Sequence, residues 1–174
     1  MSSSNMTGNP AATRWRLDPD ASTAEFRVPT FWGLVRVSGH FGRLDGWLEV
    51  ESHGWRRLEL TIDATSVDTG NDKRDQHLRS ADFFDTEHYP RVRFVSSAIV
   101  DEGDGRLHVA GELRAAGRRV AMELEPVVHG TSDQLRVDVS TTVDQRELGM
   151  IWSPLGMTRN PATLTVHAEL RPDG

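Results

Sequence analysis

Residues 106–124 read RLHVAGELRAAGRRVAMEL, and their pattern is that of a β-hairpin. Leu107, Val109, Gly111 and Leu113 alternate with Arg106, His108, Ala110 and Glu112. After Ala116-Gly117 the pattern resumes: Val120, Met122 and Leu124 alternate with Arg119, Ala121 and Glu123. Period two is the signature of a strand with one dry and one wet face. The small pair between the runs suits a tight hairpin turn. A wet face on every strand points to an antiparallel sheet, because parallel sheets are covered on both sides.

The same alternation recurs on either side. Ala24, Phe26 and Val28 carry it near the start, and Val35, Val37, Gly39 and Phe41 follow. Next come Leu58, Leu60, Ile62 and Ala64, then Val92, Phe94, Ser96 and Ala98. Leu135, Val137 and Val139 precede a last set, Leu164, Val166, Ala168 and Leu170. Asp104-Gly105 reads as a second hairpin turn. About eight such segments at short spacing predict an all-β antiparallel sheet, and closing it into a barrel removes its edges. An eight-stranded barrel encloses just enough space for packed side chains or one small ligand. The inward rows mix Phe26, Phe41 and Phe94 with Gly39, Ala64, Ala98 and Gly111. Small residues there leave a channel, or they receive the large rings opposite.

Composition narrows the function classes. The chain has 174 residues, 37% hydrophobic and 26% charged, which fits one globular domain. The expected organisation is a flexible tail over residues 1–13 and a single domain over 14–172. The net charge of -6 and the lack of any Lys/Arg-rich run argue against nucleic acid. Lys73 is the single lysine, so the other cations are arginines. With no cysteine, disulfides, thiolate nucleophiles and Cys-ligated metals are excluded. The opening MSSSNMTGNPAAT is polar and small, unlike a secretory signal, and no apolar run is long enough to span a bilayer. A cytoplasmic location is therefore expected.

Two stretches break the alternation. Between Asp68 and Pro90 the chain reads DTGNDKRDQHLRSADFFDTEHYP, and Asn71 or Asp72 can cap a short helix through Leu78 or Arg79. Phe83, Phe84 and Tyr89 in it favour packing over disorder. Between Leu148 and Pro161 the sequence LGMIWSPLGMTRNP sets Met150, Ile151, Trp152, Leu155 and Met157 among Gly and Pro. That composition suits a loop laid over apolar surface.

The sharpest polar group is Arg74, Asp75 and His77, near Asp82, Asp85 and His88. The spacing matches no metal signature of the H-E-x-x-H kind. As a base and its orienter, His77 and Asp75 lack an identifiable nucleophile. The plainer role is to hydrogen-bond the loop to the barrel, with contact to a ligand's polar head as the alternative. Arg74, Arg79, Arg91 and Arg93 suit a phosphate, or simply a solvated strand face.

Taken in order, these residues resemble the YceI-like, or polyisoprenoid-binding, family. The resemblance rests on Trp15-x-Leu17-Asp18-Pro19, Ser66-Val67-Asp68-Thr69-Gly70-Asn71, and Arg74-Asp75-x-His77-Leu78-x-Ser80-x-Asp82-Phe83-Phe84-Asp85. Tyr89-Pro90-x-Val92-x-Phe94, Gly111-x-Leu113 and Asp144-x-Arg146-x-x-Gly149 continue it. Pro29 and Thr30 depart from it where the family often has a histidine, as does Leu148 where a Phe is common. The resemblance implies an extended, lipocalin-like barrel of eight antiparallel strands with a short helix in the 68–90 insertion. It also implies an isoprenoid ligand, either a polyprenyl chain or an isoprenoid-quinone precursor. Apolar side chains and shape suffice to bind one, so no further cofactor, metal or catalytic group is expected. Members are often homodimers, and many are exported. The expected lipid-binding residues are Phe26, Val28, Phe31, Trp32, Phe41, Leu78, Phe83, Phe84, Phe94, Met150 and Trp152. Arg74, Asp75 and His77 are the expected head-group or loop-anchoring set. The two irregular stretches would serve as lids. A small enzyme using His77 and Asp75 on an apolar substrate is the competing expectation.

Overall fold

The structure, a computed structural model, describes residues 12–30, 35–150 and 161–174. Phe31, Trp32 and Trp152 lie outside the described residues, as does most of the 148–161 stretch.

Among the described residues twelve strands form one sheet. In chain order they are β1 (Thr13–Leu17), β2 (Thr23–Thr30), β3 (Val35–Phe41), β4 (Leu44–Glu51), β5 (Gly54–Asp63) and β6 (Val67–Asp68). After the helix α1 (Asp72–Arg79) come β7 (Arg91–Gly103), β8 (Arg106–Ala115), β9 (Arg118–Leu124), β10 (Val127–Gly130), β11 (Leu135–Val143) and β12 (Ala162–Pro172). All pairings are antiparallel, and β1 closes the ring by pairing with both β4 and β12. The closed circuit is β1-β4-β5-β7-β8-β10-β11-β12, an eight-stranded barrel.

The remaining strands are continuations. β2 follows β1 along β12, β3 pairs with β2, and β6 pairs with β3. The chain thus makes eight long strands, several of them broken once, and each carries one of the eight alternating segments. Among the described residues no helix is long and apolar enough to cross a membrane.

Local chemistry sets the turns and the helix. Asp104 and Gly105 have φ of 54° and 75°, and Ala116 and Gly117 have 49° and 75°. Two successive positive φ values match the strand twist of a two-residue hairpin. The Asn71 side chain accepts the Arg74 N–H and caps α1, which runs to Arg79.

The alternation expected from Val92 to Ala98 does not hold to its end. Ala98 does not continue the inward row of Val92, Phe94 and Ser96. A bulge between Ser96 and Ala98 shifts the β7–β8 register, leaving Ala98 exposed and Ile99 packed against the core. One extra residue reverses the facing of every residue beyond it. The Ser96 hydroxyl accepts the Leu58 N–H at 2.9 Å, satisfying a donor of β5 beside the bulge.

Gly39 lies opposite Phe26, and a Cβ built on it would sit 2.7 Å from that ring. A Cβ on Gly111 would lie 2.5 Å from the ring of Phe94. Each glycine seats a phenylalanine, so neither leaves a void of its own.

Candidate functional site: an apolar cavity in the barrel

The inward rows of the barrel enclose a cavity. The space open to the centre of a water molecule is about 100 Å³, and the whole unfilled space, open mouth included, is about 940 Å³. Its wall comes from β4, β5, β7, β8, β9, β10, β11 and β12. Leu58, Leu60 and Ile62 stand on one side, Phe94, Leu107 and Leu113 beside them, and Val137, Val139, Leu164 and Val166 across from these. Strand alternation explains the composition, because each residue is two positions from the next on its strand and so shares its face.

The polar neighbours are held outward. Glu59 and Trp47 border the cavity, but they are cross-strand partners on the outer row. Glu59 accepts from Arg93 at 2.7 Å, and this bond with its charge pushes the guanidinium pKa up. Trp47 has the guanidinium of Arg14 over its ring at 4.6 Å and that of Arg57 at 5.6 Å. Among the described residues no charged side chain stands on the inward rows of the wall. The Asp138–His167 pair and the Glu169 bonds to Gln134 and Arg136 lie on the outer rows of β11 and β12.

The sequence-predicted residues fall into separate places. Phe94 lines the cavity. Phe26 and Phe41 pack ring to ring at 5.4 Å, and Phe41 meets Phe84 edge-on at 5.7 Å. This cluster joins the 68–90 stretch to the β2–β3 end of the barrel. Val28, Leu78 and Phe83 pack half-buried against the core, and Met150 is buried. The remaining predicted liners, Phe31, Trp32 and Trp152, lie outside the described residues. Most of the aliphatic wall was not singled out from the sequence, although the alternation marked its faces.

Arg74, Asp75 and His77 sit on α1. Asp75 is 5% exposed, and its Oδ1 accepts the Thr69 N–H at 2.9 Å and the Thr69 hydroxyl at 2.6 Å. Arg74 donates to the Thr69 hydroxyl and carbonyl. His77 faces Asp82 across 3.1 Å and meets the Phe83 ring edge-on. Arg79 donates to the carbonyls of Thr65 and Val67. These bonds tie the helix to the strand that enters it. Among the described residues no group of His, Asp and Glu is placed to hold a metal ion.

Known proteins resemble this chain in sequence and in fold. A family model described as a YceI-like domain matches residues 15–170. Protein YceI of Escherichia coli O6:H1 is 32% identical over 130 residues, 72% of this chain and 67% of that protein. BcnA of Burkholderia cenocepacia superposes with a TM-score of 0.79 at 19% identity, covering 88% of this chain and 98% of that one. A polyisoprenoid binding domain from Saccharophagus degradans, described as implicated in plant cell wall breakdown, gives 0.73 at 17% identity, covering 91% and 98%.

Proposed function

The chain belongs to the YceI-like family, and we propose that it binds an isoprenoid lipid, a polyprenyl chain or an isoprenoid-quinone precursor, inside the barrel and holds it without transforming it. The observation that carries this reading is the cavity, open at a mouth and walled by aliphatic side chains and Phe94. Each buried CH₂ equivalent stabilises a bound chain by about 0.8 kcal/mol, so one five-carbon isoprene unit contributes roughly 4 kcal/mol before ordering costs are subtracted. Shape and apolarity suffice for such binding, and the reading needs no cofactor. The similarity in fold to a polyisoprenoid binding domain supports it. The bonds of Arg74 and Asp75 to Thr69 support a loop-anchoring role for that pair and favour holding over turnover.

The test is native mass spectrometry of protein purified from cells, followed by organic extraction. A mass increment that fits repeated isoprene units is the expected result. Protein that emerges empty and also refuses added polyprenol sinks the reading.

A further inference from the structure

The barrel wall is not laced equally on all sides. β9 follows β8 back to Arg118, and β11 follows β12 out to Val143. Among the described residues no ladder joins β9 to β11. The pairing of β10 with β11 stops at Val127 opposite Asp138. Pro126 stands at the fork; its carbonyl accepts the Leu107 N–H on the β8 side, and it has no N–H to offer the other. Beyond the fork no pairing joins the two strands among the described residues, which leaves a seam in the ladder. Met122 and Leu124 form one bank and Val139 and Thr141 the other, all half-buried and all bordering the cavity.

Thr141 differs from its neighbours on the inward rows. It shares its face with Val137 and Val139 and lies opposite Leu164, so its side chain is on the cavity face. Its hydroxyl has no hydrogen-bond partner among the described residues. No fully buried side-chain oxygen among them lacks a partner, so this hydroxyl must be reachable from open space. It can therefore donate to, or accept from, a polar group that enters the cavity.

We propose that Thr141, at the edge of the β9–β11 seam, is the hydrogen-bonding point for the polar end of the ligand. The site then selects an isoprenoid whose head carries a neutral oxygen, an alcohol or a quinone carbonyl. The head lies at the seam, and the chain runs inward towards Leu107 and Phe94. This rests on the isoprenoid reading above and adds the head-group chemistry to it. A diphosphate is disfavoured because, among the described residues, no cation stands on the inward rows to offset its desolvation.

The experiment measures the affinities of geranylgeraniol, geranylgeranyl diphosphate and the matching hydrocarbon for wild type, Thr141→Val and Thr141→Ser. Valine has the same shape and suits a strand, so the fold is kept. Wild type is expected to prefer the alcohol over both others. Thr141→Val should weaken the alcohol about three- to tenfold, the worth of one neutral hydrogen bond, and leave the hydrocarbon unchanged. Thr141→Ser should retain the alcohol. Equal alcohol affinity in wild type and Thr141→Val, or a diphosphate bound more tightly than the alcohol, overturns the head-group assignment while the isoprenoid reading stands. Wild type that binds none of the three overturns both.

Discussion

Replacing Gly111 with alanine tests how the cavity wall is built. The new Cβ would stand 2.4 Å from the Val95 carbonyl oxygen, 2.5 Å from Phe94 Cζ and 2.9 Å from Phe94 Cε2. Real Cβ contacts are not this short, so both the neighbouring strand and the ring must move. Overpacking in a well-filled core costs about 1–3 kcal/mol, and a main-chain carbonyl among the clashing atoms puts this site near ~3 kcal/mol. Alanine recovers roughly 0.4–1 kcal/mol by restricting the unfolded chain, because the Gly111 backbone is not in the left-handed region. The net loss is therefore about 2 kcal/mol. With a urea dependence of about 2 kcal/mol per molar, the unfolding midpoint falls by roughly 1 M. The displaced Phe94 ring borders the cavity, so affinity for an isoprenoid falls as well. Gly39→Ala is the control: it crowds Phe26, whose ring packs on Phe41, and it should cost stability with little effect on ligand affinity. The double variant Gly111→Ala/Phe94→Leu should recover part of the lost stability, since leucine lacks the ring atoms that clash. Urea titrations with and without ligand read all of these quantities. An unchanged midpoint for Gly111→Ala would refute the seating of Phe94 on Gly111.

Three further outcomes are expected. Asp75→Ala removes the acceptor of two Thr69 bonds, one from a main-chain N–H, and should cost about 2–4 kcal/mol, whereas Asp75→Asn keeps an oxygen and should cost about half as much; equal losses in chemical denaturation would count against the bonding role. Ala116→Asn places a residue that tolerates φ near 49° before Gly117, and should stabilise by about 0.5–1 kcal/mol, read as a higher thermal midpoint. The hydrogen bond and charge of Asp85 raise the pKa of His88 above its ordinary 6.5. The stability this pair contributes is therefore complete below pH 6.5 and is lost as the pH rises through the raised value. An NMR titration should place His88 above 6.5 in wild type and lower in Asp85→Asn, and a wild-type value at or below 6.5 contradicts the pairing.

Much of the fold was legible because strand burial has a local cause. Leu107, Val109 and Leu113 alternate with polar residues whatever surrounds them, and that alone marks β8 and its inner face. Asn71, Asp104-Gly105 and Ala116-Gly117 act through their own backbone preferences, so the helix start and two hairpins could be read in place. The cavity wall was less legible. Alternation tells which side of a strand is dry, but it does not tell which dry residues border empty space. Phe26 and Phe94 look alike in the sequence, each on the inward row of its strand. One packs on Phe41 and the other borders the cavity.

Eight of the alternating segments, the antiparallel character of the sheet, the capped helix and the apolar interior follow from local sequence, since each depends on a residue and its near neighbours. The remaining features have non-local causes. The bulge that turns Ala98 outward, the glycines that receive phenylalanine rings, and the closure of β1 on β12 all depend on register between residues far apart in the chain. So does the seam beside Thr141. There β9 keeps its ladder with β8 and β11 its ladder with β12, while among the described residues no ladder joins β9 to β11, and Pro126, which has no N–H to donate, stands between β9 and the β10–β11 pairing.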